Sequence, residues 1–262
     1  MKSQPTIFPY PGKKTKLLKN ILPLIPDHRR YVEPFAGGLA VFCHKTPSKV
    51  EVVNDINQDL VSFLRYVRQH KDALLDTLKH YHHSRDDFKS LRDSQPQTDL
   101  QRAVKFFVCQ WGSFGGIGRT WGRSSNSFSG FSYDDTLDRI ETLSKRLRGV
   151  YIENQDYEKV ISFWDSPETF IYCDPPYVSC QKTAYPPFSE IEMCRLRDAL
   201  ENAQGQWLLS CDNSETCRSV FSDHYFTELS ITYSVNKTSG TRASELLVMS
   251  PDVASTHERI AA

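Results

Sequence analysis

The chain has 262 residues, with 32 basic and 32 acidic side chains and a formal net charge of zero. It therefore lacks the polybasic surface of a protein that coats nucleic acid by charge alone, although a local basic face is compatible with a zero sum. Its length suits one large α/β domain, or a core domain carrying an insert, and 12% aromatic residues argues against disorder.

The N-terminal stretch MKSQPTIFPYPGKK has no apolar core of a signal peptide, and no later run reaches transmembrane length. The seven cysteines (43, 109, 173, 180, 194, 211 and 217) are scattered and form no CxxC pair. That pattern suits a reducing cytoplasm and argues against a zinc site or a disulfide framework. We therefore expect a cytoplasmic protein with no membrane contact and no metal. The histidines His80, His82 and His83 sit in the polar stretch KHYHHSRDDF, which reads as a solvated helix end.

Two strand-to-helix units come first. YVEPFAGGLAVFCHK reads as a strand ending near Glu33, a turn at Gly37 and Gly38, and a helix from about Leu39. KVEVVNDINQDLVSFLRYVRQH repeats the plan, with a strand through Val53, a polar break at Asn54 and Asp55, and an amphipathic helix. Such alternation predicts a parallel sheet covered by helices on both faces. From about Gln58 to Arg148 helical periodicity dominates, with Leu60, Phe63, Leu64 and Val67 on one face, and Leu74, Leu75 and Leu78 on another. That region also holds an irregular run, WGSFGGIGRTWGRSSNSFSGF. Strands resume at GVYIEN, TFIYCD and QWLLSCD, a helix lies near Phe188–Ala203, and ITYSV and ELLVMS pair across the loop NKTSGTRAS.

The chemistry concentrates at strand ends. A glycine turn opening a helix suits close approach of a ligand and an anionic group. Eighteen residues beyond Gly37, Asp55 closes the second strand, where a carboxylate can accept both hydroxyl protons of a ribose. The pattern GGL is not GxGxxG, so a nucleoside without a pyrophosphate fits better. In FIYCDPPY an apolar strand delivers Asp174, Pro175, Pro176 and Tyr177. Asp174 and the Pro175 carbonyl can each accept from an exocyclic amine, and Tyr177 offers a face on which a base can stack for ~1–3 kcal/mol. A bare DPPY is also an ordinary strand-ending turn.

Between Leu100 and Tyr133 there is no acidic residue, while Arg102, Lys105, Arg119 and Arg123 lie among Trp111, Phe114, Trp121, Phe128 and Phe131. Cations neutralise phosphates, arginine reads guanine edges, and aromatics wedge into an opened stack. The alternative is an aromatic satellite core with solvated cations.

The ordered set FPYPGKK, YVEPFAGG, VVNDINQDL, the aromatic-glycine run, FIYCDPPY and SGTRASELL resembles the Dam family (D12 class) of S-adenosylmethionine-dependent DNA N6-adenine methyltransferases along nearly the whole chain. The resemblance implies a doubly wound, Rossmann-like methyltransferase sheet with a terminal antiparallel hairpin, formed by residues 1–57 and 149–262. Residues 58–148 would be a mostly helical insert that recognises the target. It implies S-adenosyl-L-methionine at Tyr10, Lys14, Glu33, Phe35, Gly37, Asp55, Asp156, Tyr157 and Asp174, with the Lys14 ammonium on the methionine carboxylate and Asp156 and Tyr157 beside the adenine. Asp174, Pro175, Pro176 and Tyr177 would be catalytic. Arg119 would read a base, and Lys105, Arg123, Trp121, Lys237 and Arg242 would meet double-stranded DNA. Lys13 and Leu39 stand where the family usually has glycine, and Gly115 and Trp121 where it has asparagine and another polar residue, so a GATC target is not carried over. The expected enzyme is a monomer, and these motifs do not say whether a restriction nuclease accompanies it. A cytosine-N4 or RNA adenine methyltransferase would share the core, and a lapsed DNA-binding homologue would share the motifs. A glutamine methyltransferase would show NPPY.

Overall fold

The computed structural model describes residues 8–12, 14–81, 84–122, 133–178, 188–233 and 241–261. Seven strands form one sheet: β1 (Arg30–Glu33), β2 (Val50–Asn54), β3 (Tyr151–Glu153), β4 (Thr169–Cys173), β5 (Gln206–Asp212), β6 (Tyr225–Tyr233) and β7 (Thr241–Met249). Their order is β3-β2-β1-β4-β5-β7-β6. The first five run parallel, and β7 pairs antiparallel with both β5 and β6. From β1 the chain winds outward to β2 and β3, then returns to lay β4 on the other side of β1. That reversal opens a crevice at the carboxyl ends of β1 and β4, where open α/β sheets bind ligands. This is the doubly wound, Rossmann-like sheet with the terminal antiparallel hairpin that the sequence leads one to expect.

The helices are α1 (Leu18–Ile21), α2 (Ala40–His44), α3 (Gln58–Gln69), α4 (Lys71–Leu78), α5 (Arg85–Asp93), α6 (Asp99–Gly112), α7 (Tyr133–Arg146), α8 (Tyr157–Trp164), α9 (Glu190–Glu201), α10 (Glu215–Val220) and α11 (Pro251–Ala261). Several starts are written in the sequence. Asn57 accepts from the amides of Asp59 and Leu60, and Thr98 forms a reciprocal capping box with Gln101.

Alternation along the buried strands sends side chains to two cores. Tyr31, Val53, Phe170, Tyr172 and Leu208 join Leu60, Phe63, Leu64, Leu74, Leu78, Phe107 and Ile140, so α3, α4, α6 and α7 cover one face. Val32, Val52, Ile171, Cys173, Leu209 and Cys211 meet α8, α9 and α10 on the other. The long β2–β3 crossover is clipped down by charge. Arg65 and Arg68 of α3 donate to the carbonyls of Ile152 (3.1 Å) and Val150 (2.5 Å). Arg146 of α7 reaches Glu51 of β2 and the Phe42 carbonyl, and Lys45 also donates to Glu51 (2.6 Å).

The terminal hairpin is longer than its sequence suggests. Pairing runs from Tyr225↔Met249 to Tyr233↔Thr241, so β6 begins six residues before ITYSV, and TRAS belongs to β7 rather than to the loop. Polar side chains on the outer strand disguise it. Among the described residues no helix is long and apolar enough to cross a membrane, and no cluster of His, Cys, Asp or Glu could hold a metal ion. His80 is exposed beyond α4, whereas His82 and His83 lie outside the described residues.

Candidate active site

β4 is buried at every position and ends at Asp174, beside β1 and beneath the crevice. The Asp174 side chain keeps 21% of its surface exposed, so a ligand in the crevice can reach it. Ser210 of the neighbouring β5 donates to its Oδ1 (3.2 Å), and Ser210 and Tyr172 share a hydrogen bond of 2.9 Å. Pro175 is buried, and Pro176 and Tyr177 are half-buried. Neither proline has an N–H, so neither competes for a donor at that edge.

The closest partner of Asp174 comes from the other end of the chain. Lys14 Nζ donates to Asp174 Oδ1 at 2.5 Å, to the Tyr177 hydroxyl at 2.9 Å and to the Gly12 carbonyl at 3.2 Å. It also lies 3.6 Å from Glu245 Oε2 and 4.8 Å from the centre of the Tyr177 ring. The expectation from resemblance put this ammonium on the carboxylate of a cofactor; here it is engaged by the DPPY carboxylate and tyrosine. Burial pushes the Asp174 carboxyl above the usual range, the Lys14 charge pulls it back, and the nearby Glu245 adds to the rise.

Phe8 explains how the N-terminal segment reaches the sheet. It is buried edge-on against Phe63 of α3 and Phe106 of α6, with ring centres 5.4 and 5.5 Å away. Tyr10 follows, also buried, and lies against the glycine turn beside Gly37. The Gly37 amide donates to Asp55 Oδ2 and the Asn57 amide to Oδ1, both at 2.9 Å. Asp55 therefore holds the turn after β1 as well as standing at the end of β2. Leu39, next in the turn, adopts a left-handed conformation (φ 56°).

Phe35, Tyr157 and Phe188 form an aromatic wall beyond that turn, with Phe35 centred 5.1 Å from Tyr157 and 6.0 Å from Phe188. Asp156 caps α8 through the Glu158 amide and lies 3.7 Å from Arg195. The Tyr157 hydroxyl donates to Glu192. Glu33 is buried at the end of β1 and accepts from Tyr31 (2.6 Å). Burial pushes its carboxyl up to about 8, the Tyr31 hydrogen bond pulls the other way, and the Asp174 charge adds to the rise.

The DNA-facing candidates divide. Arg119 is exposed on a tight excursion closed by a bridge between Ser113 and Trp121. Lys105 is tied down instead, its Nζ donating to the Ser94 carbonyl (2.7 Å), and Arg102 pairs with Asp59 at 3.0 Å. Trp121 packs edge-on against Phe88 (5.4 Å) and helps close the excursion. The cation-rich composition concealed these internal partners, because the carbonyl and the acid lie outside the acid-free run. Arg242 lies on β7 opposite Thr232, and Arg123 and Lys237 fall outside the described residues. Sequence reasoning missed Glu245 and Ser210. The former could have been suspected as a lone acid heading the apolar run LLVM.

The whole chain can also be compared with known proteins. A model of the D12 class N6 adenine-specific DNA methyltransferase family matches residues 10–236. The chain belongs to that family. Among relatives of the D12-class chain, Type II methyltransferase M1.LlaDCHI of Lactococcus lactis subsp. cremoris is 26% identical, over 89% of this chain and 88% of its own. Type II methyltransferase M.CviBI of Paramecium bursaria Chlorella virus NC1A is 23% identical over 92% and 95%. The DNA adenine methylase of Vibrio cholerae is 24% identical over 70% and 69%. Membership decides the adenine-specific DNA reading over the cytosine and RNA alternatives.

Proposed function

We propose that the protein methylates the N6 amine of an adenine rotated out of double-stranded DNA, taking the methyl group from S-adenosyl-L-methionine. The observation that carries this reading is the DPPY carboxylate at the carboxyl end of the central parallel strand, part-exposed in the crevice and held by Lys14 and Ser210. An amine inside a stacked duplex cannot be reached at such a depth, so the base must leave the stack.

The donor set fits the cofactor. Asp55, 3% exposed, would offer ribose hydroxyls the lone pairs that its bonds to the Gly37 and Asn57 amides leave over, and Phe35 with Tyr157 would supply an aromatic wall for the adenine beside Asp156. When bound, S-adenosylmethionine supplies an electrophilic methyl group on a sulfonium. Asp174 and the Pro175 carbonyl accept from the target amine, favour its lone-pair-bearing form, and orient it. Asp174 is also the nearest acceptor for the proton that the methylated amine sheds. Tyr177 lies against the target base, its hydroxyl fixed by Lys14. No side chain needs to form a covalent bond, so the rate comes from positioning and fixed charge.

Residues 58–148 act as the target-recognition insert, with the exposed Arg119 reading a base, and the enzyme works in the cytoplasm as a monomer. The experiment is expression in a host lacking N6-methyladenine, followed by mapping of that base in the host DNA. Methylation confined to one short sequence supports the proposal, and unmodified DNA contradicts it.

A further inference from the structure

We propose that Glu245 is the alternate seat of the Lys14 ammonium during turnover, receiving it when the target amine takes over Asp174. This rests on the reading that Asp174 accepts that amine. As the structure stands, Lys14 Nζ lies 2.5 Å from Asp174 Oδ1, so an amine accepted by this carboxylate competes with the ammonium for its charge. An ammonium that loosens from Asp174 cannot turn to water, because Lys14 is only 3% exposed. Loosening a buried cation from the carboxylate it hydrogen-bonds would leave its charge poorly paired in a site of low dielectric.

Glu245 removes that difficulty. Its side chain is 1% exposed, and its Oε2 lies 3.6 Å from the same Nζ. That separation is longer than a hydrogen bond, and a shift of about 1 Å would make it one. The sheet sets its place. Glu245 sits on β7 opposite Asp212 of β5, two residues along the ladder from Ser210↔Leu247, and Ser210 is the residue that also holds Asp174. Tyr177 and the Gly12 carbonyl keep the Nζ between the two acids, so the ammonium can exchange carboxylates without leaving its pocket. One cation between two fixed acids, tight against one and just out of reach of the other, is arranged for two positions. Glu245 touches neither the target nor the cofactor in this scheme, so it is a positioning residue.

The test compares two duplexes carrying the enzyme's own site. One has the target adenine, and the other has unsubstituted purine at that position, which lacks the amine. Affinities are measured with S-adenosylhomocysteine present, for wild type and Glu245→Gln, with thermal unfolding alongside. Wild type should prefer the adenine duplex. Glu245→Gln should lose that preference by roughly tenfold, the scale of one charge-assisted hydrogen bond, while binding the purine duplex as wild type does. Equal weakening on both duplexes, or an unchanged preference, overturns the proposal. If Glu245→Gln does not fold, Glu245→Asp keeps the charge but shortens its reach; a partial loss of preference supports the proposal and an unchanged preference overturns it. A wild type that leaves no N6-methyladenine in DNA fails the functional reading itself, whereas an active wild type with a preference insensitive to Glu245 fails only this inference.

Discussion

Leu39 and Glu33 show at the scale of one residue how the site departs from simple rules. A leucine at φ 56° carries the steric cost of the left-handed region, roughly 1–2 kcal/mol. Yet its side chain is buried in the main core, and removing a buried leucine costs roughly 2–5 kcal/mol. Packing wins that comparison, so Leu39→Gly should lower stability by about 1–3 kcal/mol in urea unfolding despite matching the usual glycine of the family. A more stable variant would show that strain dominates. Glu33 tests a different balance. Its carboxyl titrates at about 8 in the fold, against roughly 4.3 in an unfolded chain. The stability supplied by this raised group is complete below the unfolded value and is lost as pH rises through the folded one. Glu33→Gln can still accept from Tyr31 but cannot ionise. Its stability relative to wild type should therefore rise between about pH 4.5 and 8, by a few kcal/mol. Parallel pH profiles of unfolding for the two proteins would contradict the assignment.

Elements were legible where local rules agreed. β4 and β2 declared themselves as apolar runs stopped by polar breaks, and α3 through the helical spacing of Leu60, Phe63, Leu64 and Val67. The outer β6 did not, because its exposed face is polar and its partner supplies the order. The excursion from Ser113 to Trp121 was visible only as an irregular run. It is closed by Ser113 Oγ accepting from the Gly118 amide (2.7 Å) and by the Gly122 amide donating to Gly112 (2.8 Å). Its Gly116 sits so close to Pro9 that a Cβ would fall 2.8 Å from the Pro9 backbone, which places the excursion directly on the segment leading to Lys14. The exposed Arg119 lies on that excursion, whereas Lys105 anchors the α5–α6 connection. Arg119→Ala should relax the preference at one base by ~1–3 kcal/mol, read from methylation of a duplex library. Lys105→Ala should leave the site preference intact and lower stability. Evenly reduced methylation with an unchanged preference in Arg119→Ala would make that residue a backbone clamp.

Over the whole molecule, long-range arrangement is what the sequence could not show. Alternation of strands and helices foretold the parallel sheet, and DPPY marked the strand end. Nothing local revealed that Lys14, 160 residues away in the chain, closes onto Asp174, or that Glu245 completes the group. Those contacts exist because the strand order sets β4 and β5 side by side, next to β7, while Phe8 pins the N-terminus over α3 and α6. The central claim is that this assembly uses Asp174 to present an adenine amine for methylation. Its most direct test is single-turnover methylation of site-bearing duplex DNA by wild type and Asp174→Asn, with N6-methyladenine quantified by nucleoside mass. Asn keeps the size of the side chain while removing the charge that Lys14 and the amine both require. The rate should fall by roughly 10²-fold or more, the scale seen when one positioned polar group is lost, with binding of S-adenosylhomocysteine largely retained. An Asp174→Asn enzyme that forms N6-methyladenine at close to the wild-type rate would contradict the account.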